Sequence, residues 1–333
     1  MKPKTGSGKL TLSSKKQREL LVDSAQKASE YAKAARSENT LRAYRSSWND
    51  FENWCTKHGE MALPAVPMTV AMYLSDRADK LKLGTLGHRL AAITVAHKLR
   101  GFPNPASKRE EPLQSVWKGI ANKHTAAKKQ VEPILKSDLK KMIAKLQKPE
   151  TDTGRELRRL RDRALLLFGF AGALRRSELS AMKVNDLQSD VRGMKLSIRQ
   201  SKTDQTGEGD VIGIPATGTQ LCPVTAVNEW LDFAGISEGN VFRSIRHGPV
   251  VLESVSTKSI ANIIKKHVAA AGLDPTFYSG HSLRSGLITQ AAQQGASELD
   301  IMRHSRHRSV PVLRQYVRKA TVWQDNAAVK ALG

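Results

Sequence analysis

Two cysteines, Cys55 and Cys222, are all that 333 residues contain, and neither belongs to a CxxC pair. Such scarcity supports no disulfide framework and no thiolate metal site, and it fits a reducing compartment. Aromatic residues make up only 5% of the chain beside an ordinary apolar content of 40%, which reads as a soluble, mostly helical protein. No apolar run is long enough to span a membrane, and the opening "MKPKTGSGKLTLSSKK" lacks the apolar core of a signal peptide. The expected place is the cytoplasm, in association with the nucleoid. There is no P-loop, no clustered Asp/Glu set and no histidine pair at ligand spacing, so neither a nucleotide nor a metal cofactor is expected.

Acids are also in short supply. Against 54 lysines and arginines stand 31 aspartates and glutamates, leaving a formal charge of +23 that runs through the whole chain. A field of that sign and extent favours a polyanion, and nucleic acid is the commonest one.

The length favours two domains. Residues 1–36 read as a partly disordered N-terminal extension, with a helix possible in "QRELLVDSAQKASEYAKAAR". In "SENTLRAYRSSWNDFENWCTKHG" the residues Leu41, Tyr44, Trp48, Phe51 and Cys55 recur at steps of three and four, predicting a helix whose stripe is core. Further helices are expected over 67–80, over 85–99 with Leu86, Leu90 and Ile93 on one face, and over 110–123 with Val116 and Ile120. Residues 37–124 thus form a helical unit, and the lysine-bearing stretch 125–132, without apolar periodicity, reads as a linker.

The second domain is expected over 133–333. "KSDLKKMIAKLQ" is a capped helix, and "LRRLRDRALLLFGFAGALRRSEL" a helix broken around Gly169 and Gly172. "MKLSIRQSKTDQTGEGDVIGIP" carries two short runs around a Gly- and Asp-bearing turn, which predicts a β-hairpin. Helices follow at 223–234, 257–271, 281–294, 297–303 and 309–318. The fold class is therefore mainly α with a small β-sheet or hairpin, an α+β arrangement.

Three separated pieces carry chemistry: "ALRRSEL", "SGHSLRSG" and "SRHRSVPVLRQYVR". In the second, His281 and Arg284 stand three apart at a helix start, where backbone N–H groups favour an anion. In the third, Tyr316 lies nine residues beyond His307 on a helix whose first turn tolerates Pro311. No acid occurs from Ile301 to Gln324, while Arg303, Arg306, Arg308, Arg314, Arg318 and Lys319 accumulate. Tyr316 is thereby placed in positive potential, although its periodicity with Leu313 and Val317 also suits a core tyrosine.

Taken in order, these pieces resemble the tyrosine site-specific recombinases of the phage integrase family. The family's Arg-x-[Ser/Ala]-Glu box is similar to Arg175-Arg176-Ser177-Glu178, its His-x-x-Arg box to His281-Ser282-Leu283-Arg284, and its last histidine and tyrosine to His307 and Tyr316. The likeness extends from about Asn39 onward, and its organisation is most like the Cre-type simple recombinases. Ser285-Gly286 and Ser305-Arg306 depart from the family's usual residues; Leu-Gly is customary at the second pair.

The resemblance implies a two-domain DNA clamp, with a helical core-binding domain and a catalytic domain that ends in an assembly helix. It also implies a reaction: Tyr316 attacks a DNA phosphodiester, giving a 3′-phosphotyrosine and a free 5′-hydroxyl, and strands exchange through a Holliday junction. The partners it implies are double-stranded DNA with an inverted-repeat site and three further copies of the chain, a dimer on each site and a homotetramer on two. Arg175, Arg284 and His307 would face the phosphorane oxygens, by electrostatic preorganisation. His281 would act as base or proton relay for the phenol, and Glu178 would hold Arg175 or His281. A hairpin lysine would protonate the leaving oxygen, Lys202 being placed for it and Lys195 competing. Arg176 falls on another face and suits a surface or phosphate contact. Groove contacts are expected from Arg42, His88 and Arg89, and phosphate contacts from Lys128, Lys129, Arg243 and Arg246. A hairpin telomere resolvase or a type IB topoisomerase would use the same chemistry, and an inactive DNA-binding regulator would use none of it.

Overall fold

The computed structural model describes residues 38–124, 131–198, 209–246, 248–322 and 327–332. By internal packing the chain divides into two compact units, Met1–Ala127 and Lys128–Gly333. The helix expected before residue 37 and most of the expected linker lie outside the described residues. No helix among the described residues is long and apolar enough to cross a membrane.

The first unit packs α1 (Glu38–His58), α2 (Pro67–Ala78), α3 (Leu83–Leu99) and α4 (Leu113–Lys123) around one apolar cluster. Phe51, Cys55, Val70, Tyr73, Leu74, Leu86, Leu90, Ile93, Leu113 and Ile120 fill it. The core stripe of α1 is shifted from the expected one. Leu41, Tyr44 and Trp48 are only half-buried, whereas Ser47 and Trp54 turn inward with Phe51 and Cys55. Trp54 tolerates burial because its indole N–H donates to Asp76 at 3.1 Å.

The second unit is built on α6 (Thr153–Ala171), which follows α5 (Lys136–Ala144) and packs along α8 (Pro223–Ala234). Asp152 caps α6 by accepting from the Arg155 N–H at 2.8 Å. The helix runs through Gly169 without the expected break, because this glycine is a packing device: a β-carbon there would come within 3.0 Å of Leu283 and 3.1 Å of Leu179. The break comes at Gly172, and the short α7 (Arg176–Ala181) follows. Inside, Asp162 is 1% exposed and takes hydrogen bonds from Arg161 and from His267 Nε2, which ties α6 to α9 (Thr257–Ala270).

The expected hairpin is the larger part of a three-stranded antiparallel sheet in the order β1 (Leu187–Asp190), β2 (Gly193–Ile198), β3 (Asp210–Pro215). Its register sets Leu187 against Leu196 and Met194 against Ile214. Met194, Leu196, Ile198, Ile212 and Ile214 share the buried face, and Lys195 points the other way. The sequence signal missed β1 because "LQSD" is four residues long and has no apolar alternation.

The last helices are α10 (Ser282–Gln293), α11 (Glu298–Ser305), α12 (Val310–Ala320) and α13 (Ala327–Leu332). Ile288, Ala292, Ile301 and Leu313 form a small separate core that joins α10, α11 and α12. The chain just after the expected linker lies directly on α10. The Ile134 N–H donates to Ser282 O at 3.0 Å, and a β-carbon at Gly286 would fall 1.9 Å from Ile134 O. That close approach accounts for the glycine two residues beyond Arg284.

Candidate active site

The turn between α6 and α7 presents Arg175. Ala173 sits there at φ 46°, a left-handed conformation that a non-glycine residue adopts only when its surroundings hold it. They do: Arg284 Nη1 donates to Ala173 O at 2.7 Å from the neighbouring α10. Arg284 is completely buried, which places a cation inside the unit at the end of that turn. Burial and the nearby Arg175 press against its charge and lower its pKa to about 9, so it stays charged at neutral pH.

Arg175 itself occupies the N-cap position of α7. Glu178, one turn on, accepts from the Arg175 backbone N–H at 2.8 Å and from its guanidinium at 2.6 Å. Of the two partners expected for Glu178, the structure thus gives it Arg175, and it adds a second cation, Arg306, at 2.9 Å. Burial alone would raise the Glu178 pKa, but Arg306 and Arg175 outweigh it and hold the carboxyl below its ordinary range. Arg176 is exposed, and its chain lies over Gly280.

His281 caps the start of α10, and its Nε2 lies 3.4 Å from the Tyr316 hydroxyl on α12. Burial, then Arg284, Arg175 and Arg176, push the His281 pKa below the usual imidazole value. The ring is therefore neutral at pH 7, and with its hydrogen on Nδ1 the Nε2 can accept the phenolic proton. Tyr316 has both characters that the sequence suggested. Its ring packs against the small core of Ile288 and Leu313, while its hydroxyl faces the histidine.

His307 completes the group. Its ring centroid lies 6.3 Å from that of Tyr316, and its Nδ1 meets Arg284 Nη2 at 3.3 Å and Ser305 Oγ at 2.7 Å. A guanidinium only donates, so the tautomer that satisfies the Arg284 contact has Nδ1 as acceptor and the hydrogen on Nε2. The pKa falls to about 4, through burial first and then Arg284 and Arg175, which leaves a neutral N–H donor.

Arg175, Glu178, His281, Arg284, His307 and Tyr316 are therefore brought together, from segments 141 residues apart at their extremes. Ser305 and Arg306, which reach the same site, were visible in the sequence only as departures from a pattern and as one more cation in an acid-free run. That run is also less free than it reads: Arg306 pairs with Glu178, and Arg314 with Glu298 at 3.1 Å.

The remaining candidates lie elsewhere. Lys202, Lys128 and Lys129 are outside the described residues. Lys195 projects from the outer face of β2 and pairs with Asp190 at 3.1 Å. Arg42 and His88 are exposed on the first unit. Arg89 turns back on the protein instead, donating to Ser46 O at 3.0 Å, because the middle of α1 supplies that carbonyl and the Asp50 carboxylate within its reach. Arg243 likewise donates to Asn240 O and Glu238 O in its own loop, and Arg246 is exposed. Among the described residues no group of three His, Cys, Asp or Glu is placed to hold a metal ion.

Such a cluster, with two guanidiniums and an imidazole N–H converging beside a phenol that faces a neutral base, is suited to displacement at a phosphodiester. Comparison with known proteins gives the family. The chain is 38% identical over 306 residues to an "Integrase/recombinase xerD homolog" of Selenomonas ruminantium, covering 90% of this chain and 87% of that one. It is 24% identical over 268 residues to "Tyrosine recombinase XerD" of Yersinia pestis, covering 78% and 80%. Its fold is similar, at a TM-score of 0.62 and 15% identity, to that of XerH site-specific recombinase in a post-cleavage complex with palindromic difH substrate, with 88% of this chain and 78% of that one covered. Residues 132–322, which contain the whole cluster, match the phage integrase family. With its segments, spacing and relatives in agreement, the chain belongs to the phage integrase family and is a tyrosine recombinase.

Proposed function

We propose that Tyr316 is the nucleophile of a DNA cleavage and rejoining reaction that passes through a 3′-phosphotyrosine. The observation that carries this is the Tyr316 hydroxyl held 3.4 Å from a neutral His281 beside the buried Arg284. His281 takes the phenolic proton as the Tyr316 oxygen bonds to phosphorus and the bond to the 5′ oxygen breaks. Arg175, Arg284 and the His307 N–H meet the charge that builds on the non-bridging oxygens. The phosphotyrosine keeps the energy of the broken bond, so rejoining by a 5′-hydroxyl requires no nucleotide. The test is a nicked duplex that loses its 5′-hydroxyl fragment on cleavage: wild-type chain accumulates as a covalent adduct on it, and no adduct at all would refute the reading.

The leaving 5′ oxygen needs a proton, and Lys202 is assigned to it. Lys195, committed to Asp190 on the outer face of the sheet, is the weaker candidate. Lys202→Ala is expected to slow cleavage by about 10²–10⁴-fold. A substrate with sulfur at that bridging position leaves as a thiolate and should restore the rate; failure of the rescue would remove Lys202 from the role.

Both units take part in holding the DNA, with Arg42 and His88 in the first and Arg246, Lys128 and Lys129 in the second as contacts. The working form is a homotetramer on two inverted-repeat sites, exchanging strands through a Holliday junction, in association with the nucleoid. Residues 321–333 include Val322, Trp323, Val329 and Leu332 and are apolar enough to need a docking surface. The second unit offers a groove of about 560 Å³ lined by Leu167, Phe170, Leu221, Leu287, Ile288 and Ile301, and we assign it to the tail of a neighbouring copy. Removing residues from Thr321 onward should leave half-site binding within about twofold and abolish cooperative filling of the full site in gel-shift titrations. Undiminished cooperativity would exclude the exchange.

A further inference from the structure

Arg306 contradicts two rules at once. Its backbone is left-handed, at φ 57°, where a side chain is disfavoured and glycine is at home. Its guanidinium is nevertheless driven inward, leaving the residue 6% exposed, and a buried cation is stable only with good partners. The partners are the components of the active site. Arg306 Nη2 donates to Glu178 at 2.9 Å and to Ala173 O at 3.4 Å, and Nη1 donates to Gly172 O at 3.3 Å. Arg306 also directly precedes His307 and closes α11.

The charges show what this achieves. Arg175 and Glu178 alone would form a neutral pair, and Glu178 would cancel much of the field that Arg175 offers to a phosphate. Arg306 meets the other carboxylate oxygen, so the three-residue cluster keeps one net positive charge. The same guanidinium reaches the carbonyls of Gly172 and Ala173, the turn that presents Arg175.

We propose that Arg306 is a positioning residue for DNA cleavage, neutralising Glu178 and clamping the Gly172–Ala173 turn so that Arg175 keeps both its place and its charge for the phosphate. The proposal rests on the reading that Arg175 meets the scissile phosphate.

The test compares wild type, Arg306→Gly and Arg306→Lys on the nicked substrate, in single turnover over a range of DNA concentrations. Arg306→Gly removes the backbone strain with the side chain. Its cleavage rate at saturating DNA should fall about ten- to hundredfold, while the half-saturating DNA concentration moves by no more than about threefold. Arg306→Lys should recover part of the loss. In a Glu178→Gln background, where the clamp on the Gly172–Ala173 turn remains to be lost but no carboxylate charge is left to neutralise, Arg306→Gly should cost several-fold less than it does beside Glu178. Should Arg306→Gly not fold, Arg306→Gln carries the same comparison. A wild-type saturated rate in the Gly or Gln variant would overturn the proposal, as would an equal loss in the two Glu178 backgrounds. Absence of adduct from the wild-type chain would instead strike the reading of the reaction itself.

Discussion

Tyr316→Phe should occupy its DNA site as tightly as the wild-type chain, within about twofold, and form no covalent adduct. The phenyl ring keeps every contact that the tyrosine ring makes with Ile288, Leu313 and their neighbours, so α12 stays in place. Among the described residues the hydrogen bond lost is the 3.4 Å contact to His281, worth at most about 1 kcal/mol of stability. A chain with net charge +23 is expected to hold DNA through phosphate contacts distributed over many cations, and one phenolic oxygen would contribute little to that. Chemistry has no such redundancy. Without the oxygen there is no bond to phosphorus, and denaturing electrophoresis after incubation with nicked DNA should show free protein only. An adduct formed by the Phe variant would mean that another side chain is the nucleophile.

Arg284→Ala is expected to produce the second largest loss, and it should register in two measurements. Arg284 is completely buried, with one nitrogen on Ala173 O at 2.7 Å and another facing His307 Nδ1 at 3.3 Å. Truncation leaves the carbonyl of a left-handed residue without its best donor and opens a cavity, for a cost of about 2–4 kcal/mol in stability by denaturant unfolding. In the folded fraction, removing one preorganised donor to the phosphorane should lower cleavage by about 10²–10³-fold. Arg284→Lys keeps a charge but cannot fork between the carbonyl and the phosphate, so its cleavage rate should fall between the two. A folded Ala variant that cleaves at the wild-type rate would exclude Arg284 from the reaction.

How far these residues could be read in advance differs case by case. Arg175, Glu178, His281, Arg284, His307 and Tyr316 stood out because together they match, in order and spacing, the boxes of a known family. His281 and Arg284 are three apart at a helix start, and Glu178 is one turn from the residue that it holds. Helix boundaries were legible wherever an apolar face repeats, as with Leu86, Leu90 and Ile93, all of them buried. They were misread where a residue has a tertiary task. Gly169 looks like a helix breaker and is a seat for Leu179 and Leu283; Leu41 and Tyr44 look like core and are half-exposed, while Trp54 enters because Asp76 awaits its N–H. The strand Leu187–Asp190 has no alternation of its own and exists through its pairing with β2.

Local order along the chain was thus enough to carry the resemblance to a family, since the boxes Arg175–Glu178 and His281–Arg284 and the interval from His307 to Tyr316 are patterns of residue type and spacing. Which of the many cations does what was a matter for the folded state. Arg306 finds its carboxylate 128 positions away, Arg284 its carbonyl 111 positions away, while Arg89 and Arg243 turn back on the protein and away from solvent. The reason is energetic: a charge taken out of water must be met by an opposite charge or a dipole at hydrogen-bond distance. Periodicity and propensity reach only a few residues along a chain, and the partners of a buried ion are chosen by what packing brings beside it.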